Sequence, residues 1–167
     1  MNFFRRKKSL EISKERADFL TENFYELSFD DRLPAKKLFN AIQKSEELHF
    51  LADQHNWDDG VELLEWIIDS EFCDESTARL IFWRSQPEFY TEFTSEEEAG
   101  SFTDVYLLLR KIIKNVESGV YKKRELEFNP LTDVGSPSDI HYRNPKEKWG
   151  IPDRMKLPVK GMDVVIR

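Results

Sequence analysis

Few residues in this chain carry reactive chemistry, and they lie close together: His49, Asp53, His55, Asp58, Asp59 and Cys73. His49 and Asp53 are spaced i, i+4, which places both on one face of a helix, and His55 is followed three and four positions later by Asp58 and Asp59. A histidine beside two carboxylates can move a proton or hold a metal weakly, so His55, Asp58 and Asp59 define an enzymatic or metal-binding alternative. The spacing matches no recognised ligand pattern. With Gly60 as the turn glycine of a calcium loop, the first, third and last ligand positions would fall on His55, Trp57 and Trp66, which lack the carboxylates such a loop needs. The sequence has no phosphate-binding glycine loop, no dinucleotide fingerprint, no nucleophile elbow and no H-E-x-x-H. Cys73 has neither a second cysteine nor an adjacent histidine and reads as a small packed residue. The pattern therefore predicts no catalytic residue, no metal and no cofactor, and gives these side chains structural work.

That work follows from the elements around them. Ser45 precedes Leu48, Leu51, Ala52 and His55, one face of a helix with Ser45 as its N-cap. Asn56 is a suitable N-cap for a following helix, with Asp59 placed to reach back as a capping-box acid and Asp58 at the positive end of the helix dipole. In that helix Trp57, Val61, Leu64, Ile67 and Ile68 form a core face widened by Leu63 and Trp66. Gly60 in its first turn predicts close approach by a neighbouring backbone or ring. Asp74 caps a third helix, carrying Ala78, Ile81 and Phe82 on one face and Leu80 and Trp83 on another, which ends before Pro87. Trp57, Trp66, Phe82 and Trp83 are expected to be mostly buried.

The run Asn56-Trp57-Asp58-Asp59-Gly60, followed by Trp66-Ile67-Ile68-Asp69, by Cys73-Asp74 and by the block from Thr77 to Trp83, resembles a small bacterial domain family of unknown function. The resemblance spans about residues 45–93 and implies a compact helical domain with no assigned activity. In size and acidity such domains are similar to immunity proteins that neutralise secreted toxins, an analogy of class that carries no residue across.

On either side of this core, Ser13 caps a helix carrying Ala17, Leu20, Phe24 and Leu27, with Ile12 as its staple. Pro34 opens another, with Leu38, Ala41 and Ile42 inward. Glu96, Glu97 and Glu98 form an acidic loop or short turn. Ser101 and Asp104 then cap a long helix through Phe102, Val105, Tyr106, Leu109, Ile112 and Val116 that stops at Gly119. Residues 120–128 read as an edge strand or an extended arm. Five of the seven prolines fall in residues 129–158, so that stretch is irregular, with Ile140, Tyr142, Trp149, Ile151, Met155 and Leu157 as docking anchors. Residues 159–166 read as a short strand that could pair with 120–128. The expected fold is mainly α: a compact bundle of about six short helices with a Pro-rich C-terminal arm that includes a small β-hairpin. The expected organisation is a basic flexible N-terminus (1–10), a helical domain (11–119) and an arm or tail (120–167).

Charge divides the chain in the same way. Residues 45–104 hold two bases, Arg79 and Arg84, against seventeen acids, whereas both flanks are net positive and the whole is −7. Either the basic ends fold back over the acidic middle, or part of it stays open and attracts a basic protein. The candidate face is Asp58, Glu62, Glu65, Asp69, Glu96, Glu97 and Glu98, with Asn56, Trp57, Asp59, Gly60, Trp66 and Trp83 as its structural support. So acidic a middle disfavours nucleic acid. No apolar run approaches a membrane span, and Arg5-Arg6-Lys7-Lys8 leads into Ser9-Leu10-Glu11 in place of an apolar signal region, so the cytoplasm is expected. The function these features imply is that of a non-enzymatic binding protein, an inhibitor or immunity protein occluding a basic partner such as a toxin. A structural adaptor is a further alternative.

Overall fold

The computed structural model describes residues 8–133 and 142–167. The expectation on Ile140, and most of the N-terminal basic run, lie outside them. The chain is mainly α. After a short strand β1 (Ser9–Ile12) come α1 (Lys14–Phe24), a 3-10 turn (Leu27–Asp30), α2 (Lys36–Phe39), α3 (Ser45–Gln54), a second 3-10 turn (Trp57–Asp59) and α4 (Glu62–Asp69). Then follow α5 (Glu75–Arg84), α6 (Pro87–Tyr90), α7 (Glu96–Ala99), a third 3-10 turn (Gly100–Phe102), α8 (Thr103–Glu117), α9 (Asp153–Lys156) and β2 (Asp163–Ile166).

The centre is α5. Residues 75–83 are all buried, and α5 packs on α3, α4 and α8, so the helix has no solvent face over that span. Apolar stripes close around it: Leu48 and Leu51 from α3, Leu64, Ile67 and Ile68 from α4, Leu109, Ile112 and Val116 from α8. Asp74 caps α5 as its type predicts, accepting the Ser76 N–H at 2.9 Å. Ser13 does the same for α1 through the Arg16 N–H, and Gly119 ends α8 at φ +65°.

Several local expectations are corrected. Ser45 is the first helical residue, not the cap of α3, and its hydroxyl donates to the Phe72 carbonyl at 2.8 Å. Ile42 is buried as expected, but α2 turns Phe39 inward and Leu38 and Ala41 are exposed, because α2 ends at Phe39 and three-residue turns carry the chain past it. α8 has no side-chain cap from Ser101. Thr103 at its start donates to the Glu96 and Gly100 carbonyls, and Phe102 stays 46% exposed. Trp57 and Trp66 are only partly buried, whereas Phe82 and Trp83 are fully so.

The arm is extended and docked on the helices through Tyr121, Leu126, Phe128 and Met155, all buried. Tyr142 and Leu157 are exposed and do not serve as anchors. Phe128 bridges Val159 in antiparallel sense, as the pairing of 120–128 with 159–166 anticipates, and Leu126 bridges Met162. The regular ladder is a different one: β2 runs parallel to β1, with Leu10 opposite Val164.

Candidate functional site

The segment between α3 and α4 is built by side chains that close turns. Asn56 sits at φ −87°, ψ 116°, and its side-chain oxygen accepts the Asp58 N–H at 3.1 Å, capping one turn of 3-10 helix. The turn ends at Gly60, where φ is +79° and ψ −166°, and α4 begins only at Glu62. A single helix from Trp57 to Asp69 is therefore not formed. Gly60 is required for its left-handed backbone and not for close packing, since nothing stands within 4 Å of where a Cβ would be. Asp59 is no capping-box acid either. Its carboxylate accepts the Ser28 N–H at 3.2 Å and the Ser28 hydroxyl, fastening the turn Leu27–Asp30 to the start of α4.

His55 is part of the same closure. Its Nε2 donates to the Gly60 carbonyl at 2.8 Å; a carbonyl only accepts, so that nitrogen carries the proton. Nδ1 is buried without a hydrogen-bond partner among the described residues, and burial pushes the imidazole below its ordinary pKa. The ring stands edge-on to Trp57. His55, Asp58, Asp59, Leu33, Pro34 and Glu62 line a cleft of about 80 Å³. His49 and Asp53, on one face of α3, engage different partners. His49 Nδ1 lies 2.9 Å from the Thr77 hydroxyl, and burial lowers its pKa. Asp53 is paired with Arg84 at 2.8 Å, which also holds Asp133. Among the described residues no group of three His, Cys, Asp or Glu side chains is placed to hold a metal ion. Cys73 is buried, which raises its thiol pKa well above the reactive range.

The acids divide into neutralised and open. On α4, Glu62, Glu65 and Asp69 are exposed along one stripe, away from the buried Leu63, Leu64, Ile67 and Ile68, and Asp58 is exposed just before it. Trp66 flanks that stripe, half-buried against Phe39, with the Lys36 ammonium 4.1 Å above its ring. Asp69 is paired with Lys111 of α8 at 2.7 Å. Glu98 is paired with Lys148 of the arm at 2.8 Å and accepts from Thr94, contacts that hold its carboxyl down to about 2. Asp58, Glu62, Glu65, Glu96 and Glu97 have no ion pair among the described residues. Of the tail bases expected to cover the acids, Lys148 does so, while Arg154 reaches Glu75 in the core at 3.4 Å.

The polar junction under the arm was not anticipated. Asp74, besides capping α5, accepts the Glu125 and Leu126 N–H groups, and the Ser76 hydroxyl donates to the Leu126 carbonyl at 2.6 Å. Glu75 and Arg79 form a buried ion pair, and Arg79 donates to the Arg154 and Leu157 carbonyls. Trp83 Nε1 donates to the Met155 carbonyl at 2.8 Å. The available signal was the i, i+4 spacing of Glu75 and Arg79 inside an otherwise apolar helix.

Residues 43–116 match the family model described as "Domain of unknown function (DUF4274)". The matched span runs from the residues before α3 almost to the end of α8, and so includes the acidic stripe, α7 and the buried face of α5 that receives the arm. Neither a curated protein nor a solved structure matches the chain.

Proposed function

We propose that this chain is a non-enzymatic binding protein whose open acidic face receives a basic protein, as an inhibitor or immunity protein would occlude a toxin. The observation that carries this reading is the line Asp58, Glu62 and Glu65, exposed and without an ion pair among the described residues, while Asp69 farther along α4 and Glu98 of α7 are neutralised by Lys111 and Lys148. Glu62 and Glu65, three apart on α4, repel by a few tenths of a kcal/mol, and a cationic partner relieves that repulsion. A field of one sign also raises association rates, by roughly 10- to 1000-fold at low salt. In this reading the helical body 11–119 carries the face and the arm 120–167 braces it. A proton-transfer role at His55 draws little support, because its Nε2 is committed to Gly60.

The test is affinity capture from the native host with the tagged full chain and a Glu62→Lys/Glu65→Lys variant. The expected result is a basic protein retained by the parent and lost by a variant that melts at the same temperature. Equal retention by both chains would contradict the proposal.

A further inference from the structure

The loop joining α1 to α2 leaves two large apolar side chains in water: Phe29 is 75% exposed and Leu33 82%. Isolated exposed apolar residues are ordinary, but this pair is displayed on a loop that is fixed in shape. The 3-10 turn Leu27–Asp30 is bounded by two non-glycine residues in the left-handed region, Glu26 at φ 51° and Asp31 at φ 52°. Such backbone persists only where the surroundings hold it. Here Asp59 holds Ser28, and the Arg32 N–H closes onto the Leu27 carbonyl at 2.9 Å. Leu33 lines the cleft that also contains Asp58 and Glu62, and Phe29 lines an open groove with Glu22, Glu26 and Asp30. At about 80 Å³ the cleft is the size of a side-chain end. It is far below the roughly 300 Å³ or more of small-molecule sites, which favours a macromolecular occupant.

Charge decides what kind. Glu22, Glu26, Asp30, Asp31, Asp58 and Glu62 rim the loop, and Arg32 is the base among them. We propose that this loop is the apolar anchor of the acidic face, and that its occupant is a basic protein segment carrying one large apolar side chain among its cations. The inference rests on the acidic-face reading and adds to it a hot spot of the usual kind, an apolar contact inside a charged rim.

The test uses the full chain and dye-labelled synthetic peptides followed by fluorescence anisotropy. One peptide is Lys- and Arg-rich with a central Trp, the second has Ser in place of that Trp, and the third keeps the Trp but replaces the bases by Ser. The Trp-containing basic peptide is expected to bind about tenfold tighter than its Ser counterpart. Phe29→Ser/Leu33→Ser should remove that difference without changing the Ser peptide's affinity or the melting temperature, because both side chains are already exposed. Glu62→Lys/Glu65→Lys should weaken both basic peptides. Equal binding of the two basic peptides to the parent would overturn the anchor and leave the acidic face standing. Binding of neither would overturn both, as would preference for the neutral Trp peptide. A dimer of the parent chain in sedimentation, dissolved by Phe29→Ser/Leu33→Ser, would assign the loop to self-association and overturn the proposed occupant.

Discussion

Asp58 and Asp59 are neighbours with opposite duties. Asp59 points back into the molecule to hold Ser28, while Asp58 offers its backbone N–H to Asn56 and leaves its carboxylate to solvent. Asn56→Ala is therefore expected to cost about 1 kcal/mol through the lost cap. Asp59→Ala should cost about 1 to 2 kcal/mol, because two hydrogen bonds to a charged acceptor are lost while the exposed Ser28 donors can turn to water. Asp58→Asn should change stability little. Urea denaturation of the three variants checks the order, and Asp58→Asn as the most damaging would contradict it. Sequence spacing identified Asn56 as a cap because that contact is local. Asp59 could not be read in the same way, since its partner lies 31 positions away in the chain. Gly60 was legible as special but not for what reason: a left-handed backbone and a crowded one both call for glycine.

At the scale of elements, α5 joins the helical body to the arm. Its buried Glu75–Arg79 pair is completed by Arg124 and Arg154 from the arm, and Arg79 spends two further donations on arm carbonyls. Arg79→Met leaves the buried Glu75 with only the outer cations Arg124 and Arg154 and strands two arm carbonyls, so it should cost about 3 kcal/mol and speed proteolysis within residues 142–167. The double variant Glu75→Gln/Arg79→Met should recover part of that stability, since the buried carboxylate that has lost its buried partner is then gone. Equal stability of single and double variants would show that the charge is not the source of the loss. The long helices were legible because α1, α3 and α8 bury apolar residues at the helical period, and α5 because Asp74 caps it. α2 was misread because it is four residues long and passes into tighter turns, which keeps Ile42 buried as expected but puts Phe39 inward in place of Leu38 and Ala41. The parallel pairing of β1 with β2 joins the two ends of the chain, a contact no local pattern encodes.

Over the whole molecule, the basic flanks reach into the acidic middle at defined points: Arg16 to Glu47, Lys111 to Asp69 and Lys148 to Glu98. The ends neutralise some acids, while Asp58, Glu62, Glu65, Glu96 and Glu97 are exposed and have no ion pair among the described residues. Composition revealed the imbalance, but only the fold separates the paired acids from the open ones, because each pairing spans distant segments. The most direct test of the acidic face is the association rate of the captured basic partner, measured by stopped flow as ionic strength rises from about 0.01 M to about 0.15 M, where the screening length falls from ~30 Å to ~8 Å. The account predicts that kon drops about tenfold or more with little change in koff, and that Glu62→Lys/Glu65→Lys flattens this dependence. A kon indifferent to salt, and equal in parent and variant, would contradict it.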